Sequence, residues 1–186
     1  MGQLIKKYLL LSQLYLGLSV TICLILLPHF LFSKNEGGMS NYGVHLKTVF
    51  PYSLGLLLTS FYAARAATVI KDKSSALRKL LLSYAAVLLL VLITTYGYKR
   101  NVYLKNSHIA ITIVFFWFEL LSAIWLSKKF LSDKINIALV GVQFIGLVIG
   151  SLTFYGSLHL LFVAQLLTII PFGIILVRSS AVPQPK

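Results

Sequence analysis

Six stretches of this chain are apolar enough and long enough to cross a lipid bilayer, and they take up most of its 186 residues. They cover residues 8–32, 49–70, 77–98, 108–127, 135–153 and 159–177. An unpaired peptide group in hydrocarbon costs several kcal/mol, so a segment that crosses a membrane must close its own hydrogen bonds. An apolar run of about 20 residues does this as a helix spanning the hydrocarbon core. The expected fold is therefore all-α: a polytopic membrane protein forming a bundle of six transmembrane helices, one domain over residues 1–177. Composition agrees, with 58% apolar and only 11% charged residues and a mean hydropathy of +0.88. A soluble domain carries about a quarter charged residues.

The ends of the chain need separate reading. Lys6 and Lys7 before an apolar run also describe a secretory leader. The run is too long for one, and Pro28-His29-Phe30-Leu31-Phe32 offers no small-residue cleavage site, so a retained first helix is expected. Residues 178–186, with Pro183 and Pro185, read as a disordered cytoplasmic tail. The single cysteine, Cys23, excludes an internal disulfide.

Charge sets the orientation. Lys6, Lys7, Arg65, Lys71, Lys73, Arg78, Lys79, Lys128, Lys129, Lys134, Arg178 and Lys186 fall on one side of a six-span threading. Lys34, Lys47, Lys99, Arg100 and Lys105 fall on the other. The basic excess marks the cytoplasmic side, so both termini are expected there, in a multi-pass protein of the cell membrane. The net charge of +13 is spread over the short connections. Nucleic-acid binding needs a contiguous basic patch, and none is expected.

The same threading puts His29, His45, His108 and His159 on the outer face. The first outer connection, residues 33–48, adds Glu36 and Asn41 among three glycines, a polar, turn-rich stretch. Glu36, Asn41, His45, His108 and His159 thus form a candidate outer polar cluster. His45, His108 and His159 could supply the three ligands of a zinc site with an open water position. No His-x-x-x-His spacing fixes two ligands on one helix, so convergence is left to the fold. Interfacial histidines with a wet nitrogen are the plainer alternative.

Two charges lie inside apolar runs, Arg65 and Glu119. An intramembrane charge costs about 2.5–3.5 kcal/mol on insertion scales, which favours pairing. Counted from the cytoplasmic ends, the two differ in depth by about 4.5 Å, so an Arg65–Glu119 ion pair between the second and fourth helices is expected. The alternative has Arg65 reaching the headgroups while Glu119 stays protonated. In the fifth run, Gly146 and Gly150 are spaced for close helix approach, either within the bundle or in a homo-oligomer seam. Gln165 and Thr168 add polar groups to the sixth. Phosphate-loop, nucleophile-elbow, His-Glu-x-x-His and Cys-x-x-Cys motifs are all missing, so no motif argues for an enzyme.

The layout, with Asn35-Glu36-Gly37-Gly38-Met39-Ser40-Asn41-Tyr42-Gly43 leading to Lys47 and Val49-Phe50-Pro51-Tyr52, resembles small six-helix membrane families of bacteria and archaea. It also resembles the DRAM/Frag/Sfk-type six-helix proteins of eukaryotes. The resemblance implies an integral membrane protein without established enzyme activity; no cofactor is expected, apart from zinc under a hydrolase reading. Three functional readings remain open. The first is an outward polar cap that binds or senses a ligand or lipid headgroup. The second is a zinc-dependent lipid hydrolase using His45, His108 and His159, with Glu36 as base. The third is a small transporter or channel using Arg65, Glu119 and Gln165.

Overall fold

In the computed structural model, residues 2–28, 38–72, 75–97, 101–130, 133–156 and 158–180 are described. Six long helices follow one another: α1 (Gly2–Leu26), α2 (Val49–Val69), α3 (Ala76–Gly97), α4 (Val102–Phe130), α5 (Lys134–Phe154) and α6 (Leu161–Ser179). A short 3-10 helix, Met39–Val44, lies between α1 and α2 and is called the cap helix below. No strand occurs among the described residues. Five of the helices, α1, α3, α4, α5 and α6, are long and apolar enough to cross a membrane. With Ser53, Thr59, Ser60 and Arg65 along it, α2 is less apolar.

Several boundaries move from their sequence expectations for local reasons. Helix α1 begins at Gly2 rather than near residue 8, since Gln3, Lys6 and Lys7 are good helix formers. Helix α4 starts at Val102, not His108, because the Asn101 side chain accepts from the Tyr103 amide at 2.8 Å and caps the helix early. That shift moves His108 from the helix opening into its second turn. Asp133 caps α5 in the same way, accepting from the Asn136 amide at 2.8 Å. Arg178 and Ser179 form the last turn of α6 rather than the start of a tail. Residues 181–186 lie outside the described residues.

Chain neighbours pack as hairpins, most extensively α1 with α2, α5 with α6 and α2 with α3. Helix α6 also packs on α4 and, more thinly, on α1. The arrangement is a ring of α1, α2, α3, α4 and α6, with α5 applied to the outside of α6. The core of the ring holds Leu9, Tyr84, Phe172 and Ile175, all fully buried. Tyr84 lies with its ring centroid 5.2 Å from Phe172 and 5.9 Å from Phe115, which ties α3, α4 and α6 together. Polar bonds reinforce the seams: Ser12 Oγ donates to the Thr59 carbonyl at 2.9 Å, and Ser60 Oγ to the Ala85 carbonyl at 2.9 Å. Each such bond contributes about 1 kcal/mol net.

The small residues of α5 serve the α5–α6 seam. A side chain at Gly146 would come within 2.9 Å of the Ala164 carbonyl and of Leu167 Cβ, so the glycine lets the two backbones approach. Gly141 faces open space. The turn from α5 to α6 uses Gly156 at φ +77°, a left-handed conformation that costs glycine little.

Candidate functional site

The cap helix is not a solvated turn. Met39, Asn41 and Tyr42 are buried, and the segment plugs one end of the helix ring. Met39 and Tyr42 recur at the three-residue spacing that puts both on one face of a 3-10 helix. Tyr42 meets Phe162 of α6 edge-on at 5.9 Å. Burying this backbone is tolerable only if its polar groups are satisfied. The Met39 amide donates to Gln165 Oε1 at 2.6 Å, and Thr48 Oγ1 donates to the Tyr42 carbonyl at 2.8 Å. Burial, and next the nearby Cys23 thiol, push the Tyr42 phenol up to about 12.

His108 is the centre of this plug. It is only 3% exposed and is held at both ring nitrogens. Thr94 Oγ1 gives its one proton to the Leu90 carbonyl at 2.8 Å, so its oxygen accepts from His108 Nδ1 at 3.0 Å. That tautomer leaves Nε2 as an acceptor for the Ser40 hydroxyl, 2.6 Å away. The Ser40–His108–Thr94 chain thus joins the cap helix to α4 and α3. Beneath it a cavity of about 40 Å³ is lined by Ser19, Ser40, Tyr52, Thr112 and Gln165 among apolar neighbours. Only a few water molecules fit in that volume.

The other predicted cluster residues are dispersed. Asn41 is buried in the cap helix, while His45 is half-buried at its C-terminal end, with its carbonyl accepting from the Val49 amide at 2.8 Å. His159 is exposed ahead of α6. His29 and Glu36 lie outside the described residues. Among the described residues, no three His, Cys, Asp or Glu side chains are grouped to hold a metal ion. The structure thus brings His108 to Ser40 and Thr94 rather than to His45 and His159. Ser40 and Thr94 escape a reading of the sequence because serine and threonine are common in apolar helices and turns and carry no spacing signature.

The expected Arg65–Glu119 ion pair is not formed. Arg65 is exposed on α2, its guanidinium carbon 5.9 Å from the Tyr8 ring centroid, within cation–π range. Glu119 is fully buried on α4, and neither carboxylate oxygen has a hydrogen-bond partner. The physical reason is the helix order: α3 stands between α2 and α4, so matching depth does not bring the two side chains together. Glu119 instead neighbours Tyr84, which in turn neighbours Gln13 of α1. Gln13 fits there because α6 carries Gly173 at that level; any Cβ would collide with the Gln13 amide.

A second concavity is larger and differently made. Between α1 and α6 an open groove of about 440 Å³ is lined by Leu10, Gly17, Leu24, Ile170, Ile174 and their neighbours. Gln13 is a polar side chain on its wall, and Arg178 stands at one end. Met39 of the cap helix closes the other end and also lines the small cavity beneath the cap. The groove exists because α1 and α6, the two ends of the chain, touch only thinly. Family models, curated proteins and solved structures give no match to this chain, so the six-helix resemblance rests on layout alone.

Proposed function

We propose that this protein is a six-span membrane protein, both termini cytoplasmic, that binds the acyl chain of a membrane lipid between α1 and α6. The sixth span is α2. At 21 residues it is about 31 Å long, enough to cross, and its polar side chains pack against α1 and α3. The observation that carries the lipid reading is the open apolar groove. From Leu10 to Leu24 it follows α1 for about 21 Å, most of one hydrocarbon thickness. Its volume of about 440 Å³ lies within the roughly 300–1,000 Å³ of small-molecule sites.

The cap supports this reading by what it lacks. Its buried polar groups bond to one another, which suits a seal over the outer end of the bundle better than an outward receptor. The groove, by contrast, is open along its side. Native mass spectrometry of protein released from detergent tests the proposal. Wild type should retain phospholipid adducts, and Gly17→Leu should lose most of them. A Cβ placed on Gly17 would meet nothing within 4 Å, so leucine fills the groove without a clash. Equal adducts in the two proteins would refute groove binding.

A further inference from the structure

The groove differs at its two ends, and the difference bears on which lipid it takes. Near Met39 it is closed by the cap helix. At the far end, Arg178 lines it directly. On α1 the groove-facing positions 10, 13, 17 and 24 continue to Lys6, which lies on the same helical face as Gln13, Gly17 and Leu24 at 100° per residue. Lys6 is exposed. Helices α1 and α6 draw together at Gly2 and Ser180, where a Cβ on Gly2 would sit 3.7 Å from the Ser180 carbonyl. Lys6 stands four residues above that contact and Arg178 two, about 6 Å and 3 Å along their helices. Two cations on two helices therefore stand at the end of the apolar groove away from the cap helix.

We infer that the groove selects an anionic phospholipid of the cytoplasmic leaflet, with its phosphate between Lys6 and Arg178 and one acyl chain along α1. This inference rests on the lipid reading above. Arg178 is held in place for such a role. Its Nη2 donates to Asp133 Oδ2, while Asp133 Oδ1 is used to cap α5. A guanidinium has five N–H donors, so one carboxylate oxygen leaves donors for a phosphate. Asp133 offsets part of the local positive charge, which makes Lys6 the cation that tips the balance. A lysine near the end of a helix reaches headgroup depth while its methylenes cover apolar surface.

The test reconstitutes the full chain in nanodiscs of equimolar phosphatidylcholine and phosphatidylglycerol and measures the lipids that stay bound after transfer to detergent. Each cation near an anionic surface contributes roughly a factor of five, so wild type should enrich phosphatidylglycerol at least about five-fold. Lys6→Gln should lower that enrichment about five-fold while total bound lipid persists. Among the described residues Lys6 enters no ion pair, so its loss spares the fold. Gly17→Leu should reduce both lipids alike. Retention of neither lipid by wild type overturns the lipid reading and this inference together. Retention of both lipids equally, or a preference that survives Lys6→Gln, overturns the phosphate site alone.

Discussion

Residue by residue, the informative side chains are those whose partners decide their chemistry. His108 is a candidate metal ligand by sequence, yet both of its nitrogens are taken up by hydroxyls that hold the cap helix in place. His108→Ala would leave the Ser40 and Thr94 hydroxyls short of a partner, at a cost of about 2–4 kcal/mol. Amide exchange in residues 39–44 should accelerate markedly in that variant, while α1 and α2 stay protected. Unchanged protection of the cap would contradict the role assigned to His108. Glu119 poses the reverse case, a buried carboxyl without a hydrogen-bond partner. Replacing it with methionine removes that penalty, so Glu119→Met should raise stability by about 1–3 kcal/mol. Because Arg65 is elsewhere, Arg65→Met and Glu119→Met should combine with a coupling below about 0.5 kcal/mol. Denaturant titration of the two singles and the double checks both numbers; a larger coupling would restore the ion pair.

Among the helices, close approach is controlled by a few small residues. Gly146 allows α5 to lie against the α6 backbone, whereas Gly141, five residues earlier, faces open space. Gly146→Leu should therefore separate the helices and cost about 1–3 kcal/mol. Gly141→Leu should change stability by no more than about 0.5 kcal/mol. Thermal unfolding of both variants in the same detergent makes the comparison, and equal losses would mean that the seam does not depend on Gly146. Helix ends tell a related story. The capping roles of Asn101 and Asp133 are legible in principle, because a short polar side chain before an apolar run is a known start signal. Hydropathy hides the Asn101 signal, since Val102–Ser107 is not apolar enough to extend the hydrophobic run upstream of His108.

Across the whole molecule, the placement of the bundle in the bilayer decides which leaflet each end of the groove meets. Six spans with cytoplasmic termini require Lys71 and Lys47, which flank α2, to face opposite sides. In right-side-out vesicles carrying a Cys23→Ser background, Lys47→Cys should react with an impermeant maleimide. Lys71→Cys, at an exposed position just after α2, should react only after the vesicles are opened. The opposite pattern would invert the topology and move the Lys6–Arg178 end of the groove to the outer leaflet. Cys23 itself is fully buried and adds no background label if retained.

The sequence alone determined that the chain is helical and built from membrane-length apolar segments, because that conclusion needs only local hydropathy and the cost of an unpaired peptide group in hydrocarbon. It also singled out Gly146, Gln165 and the polar stretch before α2 as places where something other than lipid packing happens. Which residues meet was decided by the tertiary structure. Arg65 and Glu119 match in depth but are parted by α3; His108 finds Ser40 and Thr94, not other histidines. Depth along a helix is a property of the sequence, whereas azimuth and neighbour order arise only when all six helices pack. The groove belongs wholly to that second level, a gap left where the first and last helices close the ring with few contacts.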